Sequence, residues 1–455
     1  MDIVNPATEE IIATLVEDNA QSLQDKFIQL KAAQQQWYKQ PLEDRVAVVK
    51  KFKQLLEENI EALAQVLTNE VGKPLSQSRN EIKGGIGRIN WLVENAAKYL
   101  SDEVMSQSSG MEERIAYEPL GVIANISAWN YPYLVGINVF VPALLAGNAV
   151  LYKPSEFASL TGLEIEKLWQ QAGVTPNAFV TAIGGKEVGE AILNMDFNGY
   201  FFTGSYKTGN YIYNKVAAKM VPCQCELGGK DPLYVADDIA DVASVAAATA
   251  DGAFYNNGQS CCSVERIYVH ENVYDNYVDA FVKEVASWKL GDPNENGVYF
   301  SALTRKEQIA VLEDQVADAL QKGADILAGG KKIESKGYYF QPTILTNVSN
   351  DMKVMRDESF GPIIGIMKVK DDEEAVSKML DTEYGLTSSV YSSNEERAGK
   401  ILQQMHSGSV YFNCCDRVSA ALPWSGRKHS GFGATLSHSG LRAFTSPKAY
   451  HWRKA

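Results

Sequence analysis

Apolar residues in the first quarter of the chain recur every three to four positions. Leu42-Glu-Asp-Arg-Val-Ala-Val-Val-Lys-Lys-Phe-Lys-Gln-Leu-Leu is the clearest run, and residues 20–105 read largely as helix. After Pro119 the pattern changes. Short apolar runs at Gly121–Ile126, Ala149–Tyr152, Phe179–Ile183 and Tyr200–Phe202 alternate with helical stretches. That spacing predicts parallel strands joined by crossover helices, a common platform for nucleotides. A second series follows Glu226, at Pro232–Val235, Arg266–Val269, Ile363–Val369, Ser388–Tyr391 and Val410–Phe412. Segment 106–118 and the tail after Leu441 fit neither series and read as stray strands. No repeat, low-complexity tract or long linker separates the two series, so two interleaved α/β domains are expected.

One stretch could be mistaken for a membrane span, because no charge falls between Glu118 and Lys153. Pro119, Asn125, Asn130, Pro132, Asn138, Pro142 and Asn148 punctuate it, and such residues are costly in lipid. A strand–loop–helix–strand unit inside a soluble domain fits better. The 455 residues suffice for two or three domains, and 45% hydrophobic against 22% charged is a globular balance. A net charge of −13 without a basic cluster repels phosphate backbones, so neither nucleic acid nor an anionic membrane is an expected partner. Met1-Asp-Ile-Val-Asn-Pro lacks the basic and apolar regions of a secretory signal. The six cysteines, Cys223/Cys225, Cys261/Cys262 and Cys414/Cys415, read as reduced thiols of a cytoplasmic protein.

Several patterns carry little. Gly85-Ile-Gly87-Arg-Ile-Asn90 starts like a dinucleotide fingerprint but lacks its third glycine and lies in a helical stretch, where glycines permit close packing. Gly184-Gly-Lys186 has no following hydroxyl residue, so it is not an ATPase-type phosphate loop. No Gly-x-Ser-x-Gly occurs, which argues against a serine hydrolase. The five histidines are scattered without a His-Glu-x-x-His, so no metal is expected.

The chemistry concentrates in Phe254-Tyr-Asn-Asn-Gly258-Gln259-Ser-Cys261-Cys262-Ser-Val-Glu-Arg266. A cysteine in an apolar segment is most often inert core. Cys261 instead follows a polar loop and precedes the strand Arg266–Val269, where a thiol can meet substrate and backbone donors.

Phe254-x-x-x-Gly258-Gln259-x-Cys261 resembles the cysteine signature of the aldehyde dehydrogenase superfamily, and Glu226-Leu-Gly-Gly-Lys230 resembles its glutamate signature. Trp129-Asn130-Tyr-Pro132, Lys153-Pro-Ser-Glu156, Phe202-Thr-Gly204-Ser205, Glu358-Ser-Phe360-Gly-Pro362 and Pro423-Trp-Ser-Gly426-Arg-Lys428-x-Ser430-Gly431 match further family blocks in order. The resemblance covers essentially the whole chain. It implies a Rossmann-type cofactor domain (1–105 and 119–226) interleaved with an α/β catalytic domain (227–440). Strands 106–118 and 441–455 would form a small β-extension building a homodimer or homotetramer.

The resemblance also assigns roles. Cys261 attacks the aldehyde to give a thiohemiacetal, hydride passes to a nicotinamide, and Glu226 activates the water that hydrolyses the resulting thioester. A free thiol has a pKa of about 8.5, so activation is needed near neutrality. Asn130 and the Cys261 N–H hold the oxyanion. Trp129, Lys153, Glu156, Gly185, Gly189, Gly204, Ser205, Gly209, Leu227, Glu358 and Phe360 are the implied cofactor contacts. Tyr206 stands where the family often has threonine. Glu156 matches a residue holding the adenosine ribose and would repel a 2′-phosphate, favouring NAD over NADP.

The substrate is less legible. The chain resembles the short bacterial succinate-semialdehyde branch. Enzymes of that branch commonly place one arginine eight residues after the oxyanion asparagine and another six before the nucleophile. Asn138 and Tyr255 occupy those positions. A carboxylate is best held by a bidentate arginine, so both departures count against that substrate. Arg417 could replace them if it points inward. With Tyr131, Tyr133, Tyr255 and Trp424 nearby, an aromatic pocket for a neutral medium-chain or aromatic aldehyde is expected. Succinate semialdehyde is the alternative, and a non-catalytic structural homologue is the reading of another class.

Overall fold

After a short hairpin, Asp2–Asn5 with Glu10–Thr14, four helices follow: Ala20–Lys39, Leu42–Glu58, Ile60–Val71 and Leu75–Leu100. The computed structural model describes residues 1–453, so 454 and 455 of the expected 441–455 strand lie outside the described residues. Asn19 starts the first helix with a capping box to Ser22. Its buried stripe, Leu23, Phe27, Leu30, Ala33 and Trp37, keeps the three-to-four spacing and packs towards the strand Ala149–Lys153. Burying a Leu or Phe of this kind contributes roughly 1.5–3 kcal/mol. Gly72 ends the third helix at φ 86°, and a Cβ there would sit 2.7 Å from Pro6 Cγ, so only glycine fits.

The first sheet runs Gly431–Phe432, Cys223–Glu226, Gly199–Thr203, Val122–Ile126, Ala149–Lys153, Phe179–Thr181. All its neighbours are parallel except Gly431–Phe432. The chain winds outward from Val122–Ile126 in both directions, which opens a crevice at the carboxyl ends of the central strands. Trp129 and Asn130, Glu156, Ser205 and Glu226 all lie at or just beyond those ends.

The second sheet runs Asp325–Ala328, Thr343–Thr346, Ile363–Val369, Val264–His270, Asp231–Val235, Thr387–Tyr391, Ser409–Phe412. Only Asp325–Ala328 is antiparallel. Its central strands Asp231–Val235, Val264–His270 and Ile363–Val369 are buried almost throughout, as central strands of a covered parallel sheet are, whereas Asp325–Ala328 and Ser409–Phe412 at its edges are partly exposed. The chain crosses from the first sheet to the second between Glu226 and Asp231. The uncharged stretch after Glu118 forms strand Val122–Ile126, helix Pro132–Ala146 and strand Ala149–Lys153. Among the described residues no helix is long and apolar enough to cross a membrane.

In the segment expected to carry stray strands, Glu103–Ser108 and Met111–Pro119 form a hairpin, and Thr445–Arg453 pairs antiparallel with its second arm. Gly431–Phe432 returns from the second half of the chain to pair with Cys225 and Glu226 in the first sheet.

Candidate active site

Cys261 sits in the loop between a single tight turn, Tyr255–Gly258, and the strand Val264–His270. Asn256, Asn257 and Gly258 all take positive φ, at 55°, 55° and 68°. A Cβ on Gly258 would lie 2.4 Å from Gly361 O, so glycine is required there. Side-chain hydrogen bonds hold this unusual backbone. Asn257 Nδ2 donates to Ala302 O, and its Oδ1 accepts from Ser301 N at 2.9 Å. Gln259 Oε1 accepts from Thr304 N at 3.0 Å, and Asn256 Nδ2 donates to Gln259 O at 3.1 Å. The polar run that looked like a solvated loop is therefore a buried brace.

The two adjacent cysteines have different surroundings. Cys261 is half-buried and reaches the cleft. Cys262 is buried, and its thiol donates to Asp416 Oδ1 at 3.0 Å. Its contact with Cys261, its burial and the Asp416 charge push its pKa well above the ordinary thiol value. Only Cys261 is placed to act on a bound molecule.

Asn130 is buried, and its Nδ2 donates to Gln259 O at 3.0 Å. An amide carries two N–H groups, so one remains for a ligand beside the thiol. No acceptor for the Cys261 N–H occurs among the described residues. Sequence reasoning missed what fixes Asn130. Lys73 and Glu81 form a fully buried ion pair; Lys73 Nζ donates to Asn130 O, and Glu81 Oε1 accepts from Tyr133 N at 2.8 Å. The pair ties the Leu75–Leu100 helix to the start of the Pro132–Ala146 helix. Val-Gly-Lys73-Pro followed by Glu81 was the available signal, a charged pair flanking an apolar helix face.

Glu226 ends its strand facing the same cleft. It is buried, and neither carboxylate oxygen has a hydrogen-bond partner among the described residues. Desolvation holds its pKa well above the usual carboxylate range. A buried, unpartnered carboxyl is costly as a structural element and suited to proton transfer.

The cleft has a volume of about 1080 Å³ and runs from Lys153 and Glu156, past Gly204 and Ser205, to Cys261. Trp129, Gly185, Gly189, Leu227, Glu358 and Phe360 also line it. These residues fit an extended dinucleotide. Ser205 caps the helix Tyr206–Ala217, whose first turn lines the cleft through Lys207 and Thr208, as a pyrophosphate site needs. A Cβ on Gly185 would enter open space. Glu358 is buried with its pKa raised to about 8, chiefly by desolvation, and accepts from Gly229 N at 3.1 Å. Beside it, Phe360 meets Trp129 edge to face at 5.4 Å. A second buried pair, Lys230–Glu265, positions this corner, since Glu265 accepts from the N–H groups of Ser359 and Phe360.

Some expected contacts are not made. Gly209 does not line the cleft; a Cβ there would sit 2.4 Å from Leu227 Cδ2, so its role is close packing. Tyr206 stacks on His429 at 3.8 Å and is likewise absent from the lining. Tyr133 is fully buried in the first core and cannot line a substrate pocket. Arg417 is exposed, so it does not replace the absent arginines. Trp424 does come near the site, in one apolar cluster with Cys262 against which Cys261 packs. Tyr255 accepts from Asn80 Nδ2 through its hydroxyl, and Asn138 accepts from Arg88.

A doubly wound sheet, a dinucleotide-sized cleft and a thiol at its inner end define an NAD(P)-dependent oxidoreductase. Comparison with known proteins agrees, the aldehyde dehydrogenase family matching residues 1–450. The chain belongs to the aldehyde dehydrogenase family. It is 31% identical to a succinate-semialdehyde dehydrogenase [NADP(+)] of Deinococcus radiodurans, over 98% of this chain and 93% of that protein. It is 32% identical to the peroxisomal aminoaldehyde dehydrogenase 1 of Pisum sativum, over 98% and 91%. Among solved structures it is similar to a 3,6-anhydro-L-galactose dehydrogenase in complex with NAP. That match has a TM-score of 0.95 and 32% identity, covering 100% of this chain and 96% of the other.

Proposed function

We propose that this protein oxidises an aldehyde to its carboxylic acid by covalent catalysis at Cys261. One arrangement carries the reading: a half-buried thiol, a braced amide and a buried, unpartnered carboxylate meet at one end of one cleft. Cys261 Sγ attacks the carbonyl carbon, and the developing oxyanion takes the free Asn130 N–H and the Cys261 N–H. A nicotinamide held beside Glu358 and Phe360 would supply the hydride acceptor for this adduct, and Cys261 would keep the acyl group as a thioester. Glu226 then takes a proton from water, the water oxygen attacks the thioester carbon, and the acid leaves as the thiolate reforms. Reduced-nicotinamide absorbance with an aldehyde panel tests the reading, together with identification of the product. Free acid is expected; an acyl-CoA product, or no turnover of any aldehyde, would overturn it. Asn130→Ala should lower kcat by about 10²–10³-fold with a smaller change in KM, as loss of one oxyanion donor does.

NAD is the favoured cofactor. Glu156 lines the cleft beside Lys153, and its charge opposes a 2′-phosphate. The NADP(+) named for the Deinococcus relative and the NAP bound to the solved neighbour favour the other choice, so the carboxylate is the point to test. Glu156→Ala should raise kcat/KM for NADP relative to NAD by about tenfold, one carboxylate–phosphate repulsion being worth roughly 1.4 kcal/mol. An unchanged ratio would remove Glu156 from cofactor choice. A cytoplasmic homodimer or homotetramer is part of the same proposal. Val104, Met105, Met111 and Trp452 stay exposed on the three-stranded sheet, an open edge of the kind a second copy covers.

A further inference from the structure

Gly84 and Gly85 let two helices approach closely beside the nucleophile loop. A Cβ on Gly84 would sit 3.2 Å from Leu134 Cδ2, and one on Gly85 2.6 Å from Ile137 Cδ1. The Leu75–Leu100 helix therefore lies close against the Pro132–Ala146 helix, one turn before Arg88. Arg88 Nη1 donates to Leu134 O at 3.0 Å and to Asn138 Oδ1 at 2.9 Å. Leu134 belongs to the first turn after the braced Asn130, at a rise of about 1.5 Å per residue. This puts the guanidinium beside the nucleophile loop.

Its charge is unmatched. Arg88 makes no ion pair among the described residues, whereas Glu81 on the same helix is committed to Lys73 and Tyr133 N. A guanidinium has five N–H groups, and among the described residues only Nη1 is engaged, which leaves the Nε–Nη2 edge open. That edge is the fork that binds a carboxylate through two hydrogen bonds. Burial lowers the Arg88 pKa to about 10, opposed by the nearby Cys262 and Cys261 thiols, so the cation persists at neutral pH. The carboxyl facing this region, Asp416, already accepts the Cys262 thiol and has Arg417 beside it. The uncompensated charge here is positive. Arg88, Tyr131, Tyr255 and Asp416 lie off the cofactor cleft that Cys261 lines.

We propose that Arg88 is the specificity-determining residue of the aldehyde site and that it takes the distal carboxylate of a short ω-carboxylate aldehyde. Asn138 then orients an arginine supplied by the neighbouring helix, in place of one at its own position. The inference rests on Cys261 being the nucleophile, and it replaces the expected neutral aldehyde with an anionic one.

The test compares kcat/KM of the full-length enzyme for succinate semialdehyde, butanal and betaine aldehyde, which carry negative, zero and positive charge. The wild type should prefer succinate semialdehyde to butanal by about 100-fold, and Arg88→Met should lower that ratio by at least about 30-fold. Arg88→Lys should fall between them, since a lysine keeps the charge without the fork. Because Arg88→Met could fold poorly, the wild type is also read alone: succinate should compete with butanal at least about tenfold better than butyramide does. A wild-type preference for butanal or betaine aldehyde, or a ratio unmoved by Arg88→Met, would overturn the Arg88 proposal and leave Cys261 catalysis standing. Failure to oxidise all three, and every other aldehyde, would overturn both.

Discussion

Replacing Cys261 by alanine is expected to lower kcat/KM for any aldehyde by about 10⁴-fold or more, some 5 kcal/mol of transition-state stabilisation. The size follows from the chemistry. Without a thiol no tetrahedral adduct forms, and hydride would have to leave an uncharged carbonyl. Cys262 cannot substitute, because it is buried, donates to Asp416 and has its pKa pushed well up by its neighbours and by burial. The cleft, the Asn130 brace and the cofactor contacts do not depend on the sulfur, so cofactor binding should survive. Isothermal titration with NAD beside steady-state kinetics separates the two. Loss of both would mean that the substitution damaged the fold.

Glu226→Gln should have the second largest effect, lowering steady-state kcat by about 10²–10⁴-fold while leaving the first turnover much less affected. Glutamine keeps the shape but cannot take a proton from water, so the thioester persists. Rapid mixing should then show a burst of reduced nicotinamide of about one per site, followed by a slow phase. The pH dependence has a definite sign. Glu226 acts as a base only when ionised, and desolvation raises its pKa above the ordinary carboxylate value. Wild-type hydrolysis should therefore climb with pH through a midpoint above the usual carboxylate range, and Glu226→Gln should lose that limb. A profile flat through that range would remove Glu226 as the base.

Much of the fold was legible because its strands are of the kind sequence shows well. Val122–Ile126 and Ile363–Val369 are long apolar runs between breakers, with the second of them carrying a single exposed residue. The missed strands are those that pattern cannot announce. Cys-Gln-Cys-Glu, at 223–226, is short and half polar, and Gly431–Phe432 is two residues held by a distant partner.

The groups proposed to react could be named for a different reason: Cys261, Glu226 and Asn130 stand in stretches that resemble family signatures whose residues each have a chemical role. What supports them could not. Lys73–Glu81 and Lys230–Glu265 hold backbone groups far from them in sequence, at Asn130, Tyr133, Ser359 and Phe360, and a lone lysine or glutamate reads as surface charge until its burial is known. Tyr133 was misplaced by helix phase: two residues after Tyr131, it turns into the core rather than towards the thiol. Arg88 carried no signal of its own, because positions 138 and 255 hold no arginine and it reaches Asn138 from the neighbouring helix.

The central claim is that the aldehyde becomes covalently attached to Cys261 as a thioester. Quenching Glu226→Gln in acid during turnover, followed by digestion and mass spectrometry of the peptide containing both cysteines, tests it directly. The account predicts an added acyl group on Cys261, present only when aldehyde and oxidised cofactor are both supplied. An acyl group on Cys262 instead, or full turnover with neither cysteine modified, would contradict it.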